Sequence, residues 1–458
     1  MKKVYLETYG CQMNVSDSER VASQLVSNGF EIVAEQIDAD VVLLNTCSVR
    51  EKAEQKLYTR VGQIRAAAPP VGSGIGETPI IGVMGCVAQL EGETIFARRA
   101  AASGGNNNGG IDFILGTKAV GRIVETIEKA LDGRRNFADL DKREDDYDWS
   151  VSAAQRHSRH VAFVPIIEGC NKFCTYCIVP FARGREKSLP AAEIIRQIEL
   201  LKSQNVREVH LIGQNVNSYR PTSDAGLENF RGATAFSCLL RAVAATGIER
   251  VKFTTSFPRD FHADIVDALD EHENLCNWVH LPVQSGSNEV LKAMRRGHTI
   301  ESYLEKIDKI KSSAKSIAVT SDIIVGFPGE TDKNFEDTLK MAEYCRFDSA
   351  YIFKYSPRLE TLAARMENQT PETVKTERFL ELEKIVRQSQ SAALQKHLGA
   401  TLKVLAERAS TKNIDELSGH TTCHKIVNFK AAGTLPGSVV PVKITAVKTN
   451  TLYGETSE

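Results

Sequence analysis

Three cysteines within eight residues restrict this chain more than any other feature. Cys170, Cys174 and Cys177 lie in the stretch GCNKFCTYCIVPFARGREK with a Cys-x3-Cys-x2-Cys spacing. Three thiolates this close can hold three corners of a cubic [4Fe–4S] cluster. Zinc sites instead tend to use paired Cys-x2-Cys or Cys/His sets that supply a complete fourth ligand. No fourth cysteine stands between Cys86 and Cys238, and His157 and His160 come before the apparent strand that leads into the loop. The fourth iron is therefore expected to accept a ligand from outside the chain. A fold that carries such a loop must present it at a strand end.

A second pattern is spread over the first ninety or so residues. Continuous apolar runs around KKVYLETYG, DADVVLLNTCSV and TPIIGVMGC predict buried parallel strands covered on both faces. Each run ends at a cysteine: Cys11, Cys47 and Cys86. Ligands of open α/β sheets gather beyond the carboxyl ends of the strands, so three thiols distant in sequence are expected around one point. The sharp expectation is a second three-thiolate cluster. The plain alternative is three separate buried thiols, which are common singly.

The remaining chain of 458 residues sorts by pattern. Residues 69–79 and 100–110 are rich in Gly, Pro and Asn and read as surface loops. Residues 134–159 are charged and aperiodic, a linker composition. From Val161 onward strands alternate with helices six times, which predicts parallel strands with right-handed crossovers. Six units are too few for the eight-stranded barrel, so a partial, open (β/α)6 barrel is expected. After a long helix over 371–397 the pattern changes to short strands and turns, a small all-β barrel. The expected class is α/β, with an N-terminal parallel-sheet domain over 1–140, a linker over 141–156, the partial barrel over 157–390 and the small barrel over 391–458. A net charge of −1 gives no global field toward nucleic acid, so any such site must be local. The absence of a long apolar run and of a signal peptide points to a cytoplasmic protein with no membrane contact. Cysteines in that reducing compartment point to metal or catalysis, not disulfides.

The motifs together resemble the methylthiotransferase family of radical S-adenosylmethionine (SAM) enzymes over almost the whole chain. The segments that carry the resemblance are TYGCQMN, NTCSVREKAEQK, GCVAQLEGE, GCNKFCTYCIVPFARGRE, LIGQNVNSY and HLPVQSGS. The resemblance implies a SAM-binding [4Fe–4S] cluster on Cys170, Cys174 and Cys177 and an auxiliary [4Fe–4S] cluster on Cys11, Cys47 and Cys86. It also implies a C-terminal TRAM-like RNA-binding barrel. The implied reaction is methylthiolation of carbon 2 of N6-isopentenyladenosine at position 37 of tRNA, with one SAM as methyl donor and a second as radical source. Gln12, Met13, Asn14 and Pro282 favour that substrate. The alternatives are threonylcarbamoyl-adenosine in tRNA and an Asp of a ribosomal protein. Implied partners are a tRNA anticodon stem-loop, an electron donor such as flavodoxin or ferredoxin, and a sulfur source, with the enzyme acting as a monomer.

Candidate SAM contacts are Tyr176, which precedes the third cysteine, and polar or apolar groups at strand ends. These are Gln214, Asn215, Ser256, Gln284, Ser285, Asp322, Ile324 and Phe327. RNA recognition combines base stacking on aromatics with Arg and Lys on phosphates. Candidates for it are Arg183, Arg185, Arg295, Arg296, Lys425, Phe429 and Lys430.

Overall fold

A computed structural model describes residues 1–48, 51–67, 78–96, 110–141, 151–410, 415–430 and 433–456. The loop segments 69–77 and 100–109 and the linker segment 142–150 lie outside the described residues. The chain divides into two compact units. One comprises Met1–His157 with Ile178–Arg185, the other Ser158–Cys177 with Glu186–Glu458.

The first unit is built on a six-stranded sheet. Its strands are β1 (Lys3–Tyr9), β2 (Glu31–Ile32), β3 (Val41–Thr46), β4 (Ile80–Gly85), β5 (Phe113–Leu115) and β6 (Phe137–Asp139). They pair in the order β2-β1-β3-β4-β5-β6, all parallel. Every residue of β3 and β4 is buried, as continuous apolar runs require of strands covered on both faces. Val4, Leu43, Met84 and Phe113 pack on one face, and Val42, Leu44, Ile81 and Val83 on the other. β6 falls in the stretch whose composition reads as linker. There Arg122 forms two hydrogen bonds with Asp139, each 2.7 Å, and local charge hid a strand that pairs only at the sheet edge.

In the second unit six parallel strands follow one another: β7 (Val161–Pro165), β10 (Glu208–Ile212), β11 (Arg250–Phe253), β12 (Trp278–His280), β13 (Ala318–Val325) and β14 (Ser349–Lys354). They form two three-stranded sheets, β7-β10-β11 and β12-β13-β14. Between β11 and β12 the link thins to the Val251–Leu275 bridge and a 3.4 Å hydrogen bond from Ser256 N–H to the His280 carbonyl. This is the open (β/α)6 arrangement expected from six repeats. Two short strands, β8 (Ile167–Glu168) and β9 (Lys187–Ser188), pair antiparallel and clamp the base of the cysteine loop. The helix Glu372–Gln395 leads into a closed five-stranded barrel, β15 (Thr401–Ala409), β16 (Glu416–Thr421), β17 (Ile426–Lys430), β18 (Val439–Val447) and β19 (Leu452–Thr456). Leu394 of that helix packs with Val404, Leu417, Val427, Phe429 and Val442 in the barrel core.

Candidate functional site

Register brings the first cysteine trio together. Tyr9 of β1 pairs with Thr46 of β3, and Thr46 pairs with Gly85 of β4. Cys47 and Cys86 each follow those paired residues directly, and Cys11 follows Tyr9 by two. Cys47 N–H donates to the Tyr9 carbonyl at 2.9 Å. Three adjacent strands thus end in line and deliver three thiols to one place. Gly85 adopts φ +93°, and a Cβ there would lie 2.3 Å from Asn45 Oδ1, so only glycine turns the chain here.

Polar groups surround this trio. Cys11 caps the helix Gln12–Ser27, and its thiol meets Asn14 Oδ1 at 3.3 Å. Asn14 Nδ2 donates to Asn45 Oδ1 at 2.9 Å, and Asn45 Nδ2 donates to the Asn14 carbonyl at 2.8 Å and to Ser18 Oγ at 2.9 Å. Asn14, Ser16, Asp17, Ser18, Glu19 and Arg20 are all buried. A helix that buries its polar start serves a site, because buried polar groups need partners. A hydrogen bond from Cys47 holds the Cys11 thiol down at about 6; burial opposes it, and the nearby Arg183 charge assists. Burial pushes the Cys86 thiol up, against the pull of the Arg183 charge.

The second trio sits in the loop after β7. Asn215 Nδ2 donates to Cys170 Sγ at 2.9 Å, and Arg296 Nη1 approaches Cys174 Sγ at 3.7 Å. Cys177 N–H donates to the Cys174 carbonyl at 3.0 Å. Gln214 Oε1 accepts from Gly169 N–H at 2.6 Å, which fixes the loop's first turn. Lys172 pairs with Asp260 at 2.5 Å, and Thr175 Oγ1 donates to the Ala293 carbonyl at 2.9 Å. Burial alone would raise Asp260, yet Lys172, Arg259 and Ser218 hold it at about 2. Burial pushes the Cys170 thiol up, opposed by the Lys172 backbone and Asn215. Tyr176 and Ile324 pack with the fully buried Phe327, which meets Tyr176 edge-on at 6.4 Å.

Of the expected SAM contacts, Ser256 is buried with an Oγ that has no partner among the described residues. Gln284 adopts φ +77° and bridges to β13 through its backbone. Asp322 faces His280 at 3.5 Å. Ser285 is committed elsewhere: its Oγ accepts from Ser287 N–H at 3.2 Å. Phe327 is fully buried and packs edge-on against Tyr176.

The structure gives four of the expected RNA contacts partners within the protein. Arg183 is buried and pairs with Asp17 at 2.6 Å. Arg296 is buried, donates to the Pro282 carbonyl at 2.7 Å and lies 4.3 Å over the Phe257 ring. Lys425 is buried and pairs with Asp348 at 2.6 Å. Phe429 fills the barrel core, because inward positions alternate along β17. Arg185 and Arg295 are exposed, and Lys430 forms a surface pair with Glu455 at 2.8 Å. Asn14, Asp17 and Asn45 carry weight that no spacing rule revealed. Their only signal was polarity where a helix face and a strand end should be apolar.

An open row of six parallel strands, with a three-cysteine loop after the first, defines the radical SAM class of enzyme. Residues 164–342 match the model of the Radical SAM superfamily, 3–103 that of the Uncharacterized protein family UPF0004, and 395–456 that of the TRAM domain. That class implies SAM and a [4Fe–4S] cluster. Residues Cys170, Cys174 and Cys177 suit such a cluster, since donors already stand at two of their sulfurs and the unpartnered Ser256 hydroxyl is buried. Among curated relatives, the tRNA-2-methylthio-N(6)-dimethylallyladenosine synthase of Koribacter versatilis (strain Ellin345) is 40% identical over 99% of this chain and 98% of its own length. The synthase of the same name from Fusobacterium nucleatum is 39% identical over 99% of this chain and 100% of its own. The chain belongs to the family of tRNA-2-methylthio-N(6)-dimethylallyladenosine synthases. Among solved structures, the radical SAM methyltransferase TsrM from Kitasatospora setae is similar in fold alone. It has a TM-score of 0.55 and 14% identity, over 80% of this chain and 77% of that one.

Proposed function

We infer that this enzyme transfers a methylthio group to carbon 2 of N6-isopentenyladenosine beside the anticodon of tRNA, with SAM as both methyl donor and radical source. The carrying observation is the convergence of Cys11, Cys47 and Cys86 at three adjacent strand ends. It gives a second thiolate set, separate from the loop that defines the class. In this reading residues 1–140 hold an auxiliary [4Fe–4S] cluster, 157–390 the SAM-binding cluster, and 391–458 bind RNA.

An unactivated aromatic C–H bond offers nothing to a side-chain base or nucleophile. A [4Fe–4S] cluster with SAM supplies the one-electron chemistry that such a bond requires. This chain's residues do the rest. Asn215 and Arg296 hold the thiolates of the second trio through Cys170 and Cys174. Gln214 and Lys172 fix the loop that carries them. Tyr176 and Ile324 form a half-buried apolar shelf suited to an adenine ring. Asn14 and Asn45 lock the first trio's strand ends together. Exposed Arg185 and Arg295 suit phosphate contacts. The reaction draws on an external electron donor of the flavodoxin or ferredoxin kind and on an external sulfur source, and a monomer in the cytoplasm suffices.

The test is nucleoside analysis of tRNA from cells lacking the gene. The 2-methylthio derivative of isopentenyladenosine should vanish and the unthiolated nucleoside accumulate. Its retention, with loss of a modified ribosomal Asp or of methylthiolated threonylcarbamoyl-adenosine, would overturn the assignment.

A further inference from the structure

Arg183 stands six residues after Cys177, yet it belongs to the first unit. The short helix Val179–Arg183 packs against the helix Cys86–Glu91, and Thr117 Oγ1 donates to the Ala182 carbonyl at 2.6 Å. At its end the Arg183 guanidinium is 2% exposed. It binds Asp17 at 2.6 Å, the helix it ends packs on the one that begins at Cys86, and its charge acts on both the Cys11 and Cys86 thiols. Asp17 lies on the helix that Cys11 caps, and Arg20 adds a longer contact to it at 3.9 Å. A cation this deeply buried is costly to desolvate, and one carboxylate partner would be satisfied at the surface. Its burial places a fixed charge beside the helices that Cys11 caps and Cys86 begins.

We propose that Arg183 is a positioning residue for the auxiliary centre, a fixed buried cation beside the trio that sets its charge balance, with Asp17 as its orienting counterion. The inference rests on the reading that Cys11, Cys47 and Cys86 hold a cluster. Charge and hydrogen bonds at the sulfurs tune the potential of such a centre. A nearby cation favours the more negative, reduced state. Removing it lowers the midpoint potential, whereas removing the Asp17 charge raises it. A merely structural ion pair predicts no such opposition, because both losses would loosen the same contact.

The test uses full-length protein in which Cys170, Cys174 and Cys177 are all replaced by Ala, so that one centre is read alone. Reconstituted anaerobically, this parent should bind about four irons. Adding Arg183→Met should lower the midpoint potential and reduce bound iron; Arg183→Lys should recover part of both. Asp17→Asn should shift the potential upward with the fold intact. Equal potentials in all four proteins, or shifts of the same sign for Arg183→Met and Asp17→Asn, would overturn the proposal. A parent that binds no iron would instead overturn the auxiliary cluster itself.

Discussion

The two cysteine trios are brought together by opposite routes. Cys170, Cys174 and Cys177 are neighbours in sequence, held in one loop whose ends β8 and β9 clamp. Cys11, Cys47 and Cys86 are assembled by strand register alone. Each trio has a buried arginine near it: Arg296 lies 3.7 Å from Cys174 Sγ, and Arg183 ends a helix packed on the one that begins at Cys86. Their settings differ. Arg183 is balanced by Asp17, while Arg296 rests on the Pro282 carbonyl and the Phe257 ring. A local site survives as long as its loop does. A site made by register depends on the whole sheet, so it should be the more easily lost.

The largest test of that contrast removes one thiol from each trio. Cys47→Ala should abolish methylthiolation and cut iron from about eight per chain to about four, while uncoupled SAM cleavage persists. Cys174→Ala should lose the same amount of iron and SAM cleavage as well. Equal loss of SAM cleavage in both would mean the trios are not independent.

A change without any thiol should also separate them. Gly85→Ala forces a side chain into Asn45 at an unfavourable φ, and is expected to cost about 2–4 kcal/mol in the first unit. Iron at the first trio should fall, while SAM cleavage is kept. Hydrogen exchange of β3 and β4 reads the effect directly.

Asn215→Ala removes the donor at Cys170 from the second trio only. Outer-shell donors are worth about 10–100-fold in metal affinity, so SAM cleavage should drop by that order. Iron at the first trio should not change.

A last difference between the units should show in acid. Burial, helped by the Arg296 charge, holds His298 down at about 4, and burial with Lys252 does the same for His420. A histidine depressed on folding favours the unfolded chain once protons bind there. Its penalty is absent above the ordinary value near 6.5, grows as pH falls, and levels off below about 4. The second unit should lose about 3 kcal/mol per such group across that window. The first unit's only histidine is His157. Urea midpoints followed by hydrogen exchange should fall between pH 7 and pH 4.5 in the second unit more than in the first, and His298→Gln should flatten part of the slope.

Much of this was legible beforehand, and the misses share a cause. The apolar runs of β3 and β4 announced a parallel sheet because strands covered on both faces must be apolar throughout. The spacing of Cys170, Cys174 and Cys177 announced a cluster loop because it is local. Arg183, Arg296 and Lys425 read as phosphate ligands because sequence gives a charge without its partner. The structure pairs Arg183 and Lys425 with Asp17 and Asp348, and seats Arg296 against a carbonyl and a ring. Phe429 read as a stacking aromatic because nothing in a five-residue strand says which face closes into a barrel.

By itself the sequence determined where the buried strands run, that two sets of thiols exist, and where one set lies. Only the tertiary structure decided which strand ends are neighbours, and therefore that Asn14, Asp17, Asn45 and Arg183 serve the other set. Hydrophobic periodicity is written over a few residues. Charge pairing and register are settled by contacts between distant segments, 166 residues apart in the case of Arg183 and Asp17.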